Sequence, residues 1–120
     1  MTRWLVDGMN VIGSRPTGWW RDRRGAMRAL VDELCRLEEP VTVVFDGRPF
    51  ELGDTGAVDV RFASRRGSNA ADDDIAALAA DSEEPLRVVT SDGDLAARVR
   101  RRGVEVVGAG TFRAHLDELA

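Results

Sequence analysis

The chain has no lysine and no tyrosine, and only one cysteine (Cys35) and one histidine (His115), among 120 residues. Without lysine there is no phosphate-loop lysine, no Schiff-base chemistry and no phosphoacceptor-sensing lysine of the receiver type. One cysteine and one histidine cannot build a disulfide, a Cys/His zinc centre or a convincing Cys-His catalytic pair. Cys35 is therefore expected as a small buried apolar residue, and His115 as a surface residue of the last helix. No apolar run approaches the ~20 residues that a membrane span needs. The first residues show no charged-then-apolar leader. The expectation is a cytoplasmic protein with no membrane partner.

What remains for chemistry is carboxylates, hydroxyls, amides and guanidinium groups. There are 21 acidic residues against 17 basic ones, all of them arginine, for a formal net charge of -4. That balance argues against holding nucleic acid by bulk positive charge, although clustered arginines can act locally. With 43% hydrophobic residues over this length, one core can be packed and two cannot, so residues 1–120 are read as a single domain.

Strand and helix signals alternate. Arg3 to Asp7 reads as a short buried strand ending in a turn at Gly8, and Val41 to Phe45 as a central strand ending at Asp46-Gly47. Between them Met27, Leu30, Val31 and Leu34 recur at i, i+3, i+4, i+7, predicting a helix over roughly Trp20 to Glu38. Ala57 to Ala63 alternates as a strand nearer the sheet edge, after a connection too short for a crossover helix. Asn69 reads as the N-cap of a helix bearing Ile75, Leu78 and Ala79, which ends before Pro85. Leu86 to Thr90 is a fourth strand, Gly93 to Arg102 a helix closed by Gly103, Val104 to Val107 a fifth strand and Thr111 to Leu119 a last helix. This order predicts an α/β three-layer sandwich with a mostly parallel five-stranded sheet. Its topological switch point is expected between the first and fourth strands, where such sheets bind ligands.

Asp7, Asp46 and Asp92 each stand where a strand stops, so a parallel sheet brings them to one edge. Asp72, Asp73 and Asp74 occupy the first turn of the helix before the fourth strand. With Ile75 buried, Asp72 at i-3 shares its face, and Asp73 is the second choice. Each of these acids has an ordinary reading by itself, as a turn former or as charge complementing a helix dipole. Their conjunction points elsewhere. Several carboxylates in one pocket raise each other's pKa unless a cation neutralises them, and hard ions such as Mg²⁺ or Mn²⁺ do so. The matching chemistry is phosphodiester hydrolysis by water, which needs no protein nucleophile. Asp7, Asp46, Asp72 and Asp92 form the candidate catalytic set.

Four segments, Leu5 to Ile12 (Leu-Val-Asp-Gly-Met-Asn-Val-Ile), Val43 to Gly47 (Val-Val-Phe-Asp-Gly), Ala71 to Ile75 (Ala-Asp-Asp-Asp-Ile) and Val88 to Leu95 (Val-Val-Thr-Ser-Asp-Gly-Asp-Leu), resemble the NYN domains of the YacP type, within the PIN-like ribonuclease superfamily. The resemblance spans nearly the whole chain. It implies a PIN-like, Rossmann-type fold and Mg²⁺- or Mn²⁺-dependent cleavage of RNA. By position, Asp7, Asp72 and Asp92 match the family's metal-binding acids, and Asn10 the amide beside the first. Asp46 matches the acid after the second strand, while Ser91 and Asp94 flank the last motif. Relative to that pattern the segment between Gly47 and Gly67 and the C-terminal end are short, which leaves the RNA target open.

Arginines supply a substrate side. Arg21, Arg23 and Arg24 follow Trp19 and Trp20, and Arg65 and Arg66 precede the acidic helix. Exposed arginine beside tryptophan can bind phosphates and stack on unpaired bases, the pattern expected for single-stranded or loop RNA, ribosome-associated RNA among the candidates. Arg98 to Arg102 also complement a helix C-terminus. Two rivals stand beside an endoribonuclease. One is a non-catalytic RNA- or ribosome-binding module with a vestigial acidic site. The other is a phosphatase, disfavoured because Met9 stands where an aspartyl phosphatase carries its second acid.

Overall fold

The computed structural model describes residues 2–67 and 69–120. Two strands buried along almost their whole length form its centre: β1 (Arg3–Asp7) and β2 (Val41–Phe45). They pair in parallel, with Trp4 opposite Val41 and Asp7 opposite Val44. β3 (Asp59–Phe62) adds to the outer side of β2, and β4 (Leu86–Val89) to the other side of β1. β5 (Glu105–Val107) closes that edge. All pairings are parallel and the order is β3-β2-β1-β4-β5. The chain reverses direction across the sheet between β1 and β4, as predicted.

Because strand side chains alternate, β1 and β2 feed two separate cores. Trp4, Val6, Val43 and Phe45 pack with α1 (Gly8–Ile12), α2 (Arg23–Leu34) and α5 (Ala109–Glu118). Leu5, Val44 and Val88 pack on the opposite face with α3 (Ala70–Asp81) and α4 (Gly93–Arg100). The three layers are thus fixed by period two in the strands meeting period 3.6 in the helices. In α2 the buried residues are Met27, Leu30, Val31 and Leu34, the stripe that its spacing predicted. Among the described residues no helix is long and apolar enough to cross a membrane.

The departures from expectation are local. Residues after Asp7 do not simply turn: Gly8–Ile12 forms α1, and Val11 and Ile12 enter the core. The helix expected from Trp20 begins instead as one 3-10 turn, Trp19–Arg21. α2 then starts where the Asp22 side chain accepts from the Gly25 N–H at 3.0 Å, and it stops at Leu34. The β2 to β3 connection contains no helix, and β3 lies at the edge, as read. Asn69 takes the N-cap position with a left-handed backbone, φ 67°, but its side chain makes no capping bond. His115 is half-buried beside Trp4, with ring centroids 6.3 Å apart, and so is not a plain surface residue.

Cys35 corrects another expectation, since it is exposed. It sits one residue past Leu34, where α2 has ended and the inward stripe no longer governs orientation. Its Sγ rests against the neighbouring loop and donates to the Thr55 carbonyl at 3.5 Å. Partial burial of the sulfur, then the charges of Asp32 and Asp54, hold the thiol pKa above its usual range. Full labelling by a disulfide reagent without denaturant is expected, at a rate below that of a free small thiol at pH 7.5, because the thiolate is the nucleophile. Labelling that required denaturant would contradict the exposure.

Candidate active site at the carboxyl ends of the strands

Alternation along β1 decides where Asp7 points. Leu5 belongs to the α3–α4 core, so Asp7, two residues on, faces the same layer. It is only 5% exposed. Thr90 extends β4 beyond the Val6–Val89 pair and lies level with Asp7. Its buried hydroxyl donates to Asp7 Oδ2 at 2.9 Å and accepts from the Asp92 N–H at 3.1 Å. Asp92 caps α4, its Oδ1 accepting from the Leu95 N–H at 2.9 Å. Asp72 arrives from the first turn of α3, oriented by fully buried Ile75 three residues later. Asp46 follows β2 and is half-buried.

These four carboxylates line one cleft of about 270 Å³, together with Met9, Asn10, Asn69 and Ala71. Burial pushes the Asp7 pKa up to about 7, against the Thr90 hydrogen bond that lowers it, and the charges of Asp72 and Asp46 add to the rise. Asp72 is raised too, by burial first and then by Asp92 and Asp46, with Arg98 opposing. The four acids therefore feel one another. Among the described residues no three carboxylate, imidazole or thiol groups are drawn into a ready-made ion-holding set. The donor chemistry still suits a hard divalent cation, because the cleft offers carboxylate and amide oxygens and no sulfur or imidazole.

The other residues read as candidates are placed as follows. Asn10 lines the cleft, and its side-chain carbonyl accepts from the Ser91 N–H at 2.7 Å, tying α1 to the turn after β4. Ser91 Oγ accepts from the Ala109 N–H at 2.8 Å, tying that turn to α5. Asp94 lies exposed in the first turn of α4 and does not line the cleft. Asp73 is also outside it, held between Arg65 and Arg98, the latter at 2.8 Å, and those pairs pull its pKa down. It faces a separate hollow of about 1100 Å³ between α3 and α4, with Arg101 and Arg102. Arg66 lines a pocket next to Asp46, as does Arg65. Arg24 lies over the Phe50 ring, 4.8 Å from its centroid, Arg21 is exposed at the 3-10 turn, and Trp20 is 55% exposed.

Thr90 was missed by the reading of motifs. It could have been found, because in a parallel register the residue beyond Val89 must meet the residue beyond Val6. Arg48 was also missed, and only its convergence in space with Arg23, Arg65 and Arg66 brings it out.

No family model and no curated protein matches the chain. Among solved structures, Rae1 (YacP) from Bacillus subtilis is similar over 99% of this chain and 75% of its own length, with TM-score 0.81 and 24% identity. A point variant of that protein gives TM-score 0.80 and 24% identity, over 99% of this chain and 77% of that one. The chain thus has the YacP-type fold, in keeping with the resemblance carried by its four segments.

Proposed function

We propose that the protein is a Mg²⁺- or Mn²⁺-dependent ribonuclease that cuts RNA endonucleolytically at the carboxylate cleft. The observation that carries this reading is Asp7, a nearly buried carboxylate whose pKa is pushed to about 7 by burial and by Asp72 and Asp46. A fold has little reason to bury mutually repelling acids unless a cation offsets them. The fold shared with Rae1 (YacP) supports the same reading.

Asp7, Asp72 and Asp92 would hold the ion. When bound, it neutralises charge on the phosphate and activates water. Asp46, half-buried in the same cleft, would accept the proton that the attacking water gives up. Thr90 fixes the rotation of the Asp7 carboxylate. The Asn10 and Ser91 hydrogen bonds hold the surrounding turns before substrate arrives. Single-stranded or loop RNA is the proposed substrate, because the flanking arginines and Trp20 suit unpaired strands.

Cleavage of an unstructured oligoribonucleotide by the wild type should require Mg²⁺ or Mn²⁺ and stop in EDTA. Asp72→Asn should remain folded and be inactive, since Asp72 is half-buried at a helix start and carries no core packing. Equal cleavage by both proteins would assign the activity to a contaminant and remove the reading. Binding without cutting would favour a non-catalytic RNA- or ribosome-binding module.

A further inference from the structure

Beside the acidic cleft lies a second cavity of about 320 Å³, lined by Arg23, Arg48, Arg65 and Arg66 with a single acid, Asp46. Asp46 is thus a wall common to both cavities. Among the described residues Arg23, Arg48 and Arg66 form no ion pair, whereas Arg65 is paired with Asp73. Unpaired guanidinium groups gathered on one cavity in an acidic chain repel one another and favour an anion with several oxygens between them. Their planar forks match phosphate oxygens two at a time.

The same arginines lead outward. Arg23 also lies over the Trp19 ring, 5.9 Å from its centroid, and Trp19 meets Trp20 edge-on at 5.9 Å. Trp20, 55% exposed, is the most exposed aromatic side chain on the described surface. Acid cleft, arginine pocket and free indole therefore follow one another through shared residues.

We infer that this sequence of features is a track for a single RNA strand: the Arg23–Arg48–Arg65–Arg66 pocket holds a backbone phosphate neighbouring the scissile one, and Trp20 stacks on a base farther along. The inference takes its ligand, RNA, from the nuclease reading and adds to it which strand contacts are made and on which side of the cleft. Arg48 and Arg23 become strand-binding residues, and the α3–α4 hollow with Arg101 and Arg102 does not.

Binding in EDTA separates this from cleavage. The probe is a short, unstructured oligoribonucleotide followed by fluorescence anisotropy across a salt series. Arg48→Ala/Arg66→Ala alters two exposed side chains and should weaken binding about tenfold or more. It should also reduce the log-log salt slope by about 0.7, the amount one lost phosphate contact on a single strand is worth. Trp20→Ala should weaken binding about fivefold or more with the slope unchanged, because stacking releases no counterions. Arg101→Ala/Arg102→Ala should bind as wild type. Wild-type affinity and slope in the Arg48/Arg66 variant would overturn the track even if wild type cuts RNA in Mn²⁺, and so would no wild-type binding at all. If wild type binds with these variant effects yet never cuts, the track stands and the nuclease reading falls.

Discussion

Asp7→Asn is expected to abolish RNA cleavage and, in EDTA at pH 8, to raise the melting temperature above that of the wild type. Both effects come from one side chain. In the unfolded chain the carboxyl titrates near its ordinary value of 3.8, whereas in the folded protein burial and neighbouring acids lift it to about 7. The folded state therefore binds this proton more tightly than the unfolded state. Its contribution is most favourable below pH 4 and is lost progressively as pH rises through about 7. A rise from 3.8 to about 7 corresponds to at most about 4 kcal/mol, and relaxation around the ionised group lowers it, so a gain of about 1–3 kcal/mol is expected from the neutral isostere at pH 8. For a chain of this length that is several degrees. At pH 5 the gain should fall to less than half, and below about pH 4 it should vanish. Added Mn²⁺ should raise the wild-type melting temperature by mass action and leave the variant unmoved. Thermal scans at pH 5 and 8, with EDTA or Mn²⁺, check all of this. A variant less stable than wild type at both pH values would refute the account of Asp7 as an acid buried against its own preference.

Gly8→Ala is expected to be among the most damaging single-methyl changes in the chain. Gly8 is buried at the start of α1, and its φ is not in the left-handed region, so its need is for space and not for backbone freedom. A Cβ there would stand 2.5 Å from both Cδ1 and Cε1 of Phe45 and 3.0 Å from Val43 Cγ2. Phe45 is fully buried and leans on Phe62 with ring centroids 6.1 Å apart, so its ring has little room to withdraw. Overpacking of this kind costs about 1–3 kcal/mol. Phe45→Ala alone should cost about 3–5 kcal/mol by leaving a cavity. Combining Gly8→Ala with Phe45→Leu should return part of the loss, because the smaller side chain vacates the space the new methyl needs. Urea unfolding of the four proteins in that cycle should show a coupling of about 1 kcal/mol or more. Additivity within about 0.5 kcal/mol would mean that the methyl is accommodated by other movements.

The same pair of residues shows what could and could not be read from sequence. Asp7 was legible because a run of apolar residues ending in an acid has one reading in a parallel sheet. Gly8 looked like half of a turn, since five residues are too few to display a helical period, and so α1 went unseen. Asp72 was separated from Asp73 by its offset from Ile75, which is local geometry. Asp73's engagement with Arg65 and with Arg98, 25 residues on, depends on how α3 packs beside α4 and leaves no local trace. Cys35 illustrates the opposite error: its residue type suggests burial, but one step past the end of a helix the type no longer decides. The pocket formed by Arg23, Arg48, Arg65 and Arg66 lay beyond the sequence for the same tertiary reason.

The outer strands bear on behaviour at high concentration. β3 has four residues and β5 three. Asp59 on the first pairs with Arg61 at 3.0 Å, and Glu105 on the second with Arg87 at 3.1 Å. A neighbouring molecule seeking to add a strand at either rim would meet a short ladder guarded by ions that must first be stripped of water. The architecture thereby discourages lateral polymerisation of its own sheet.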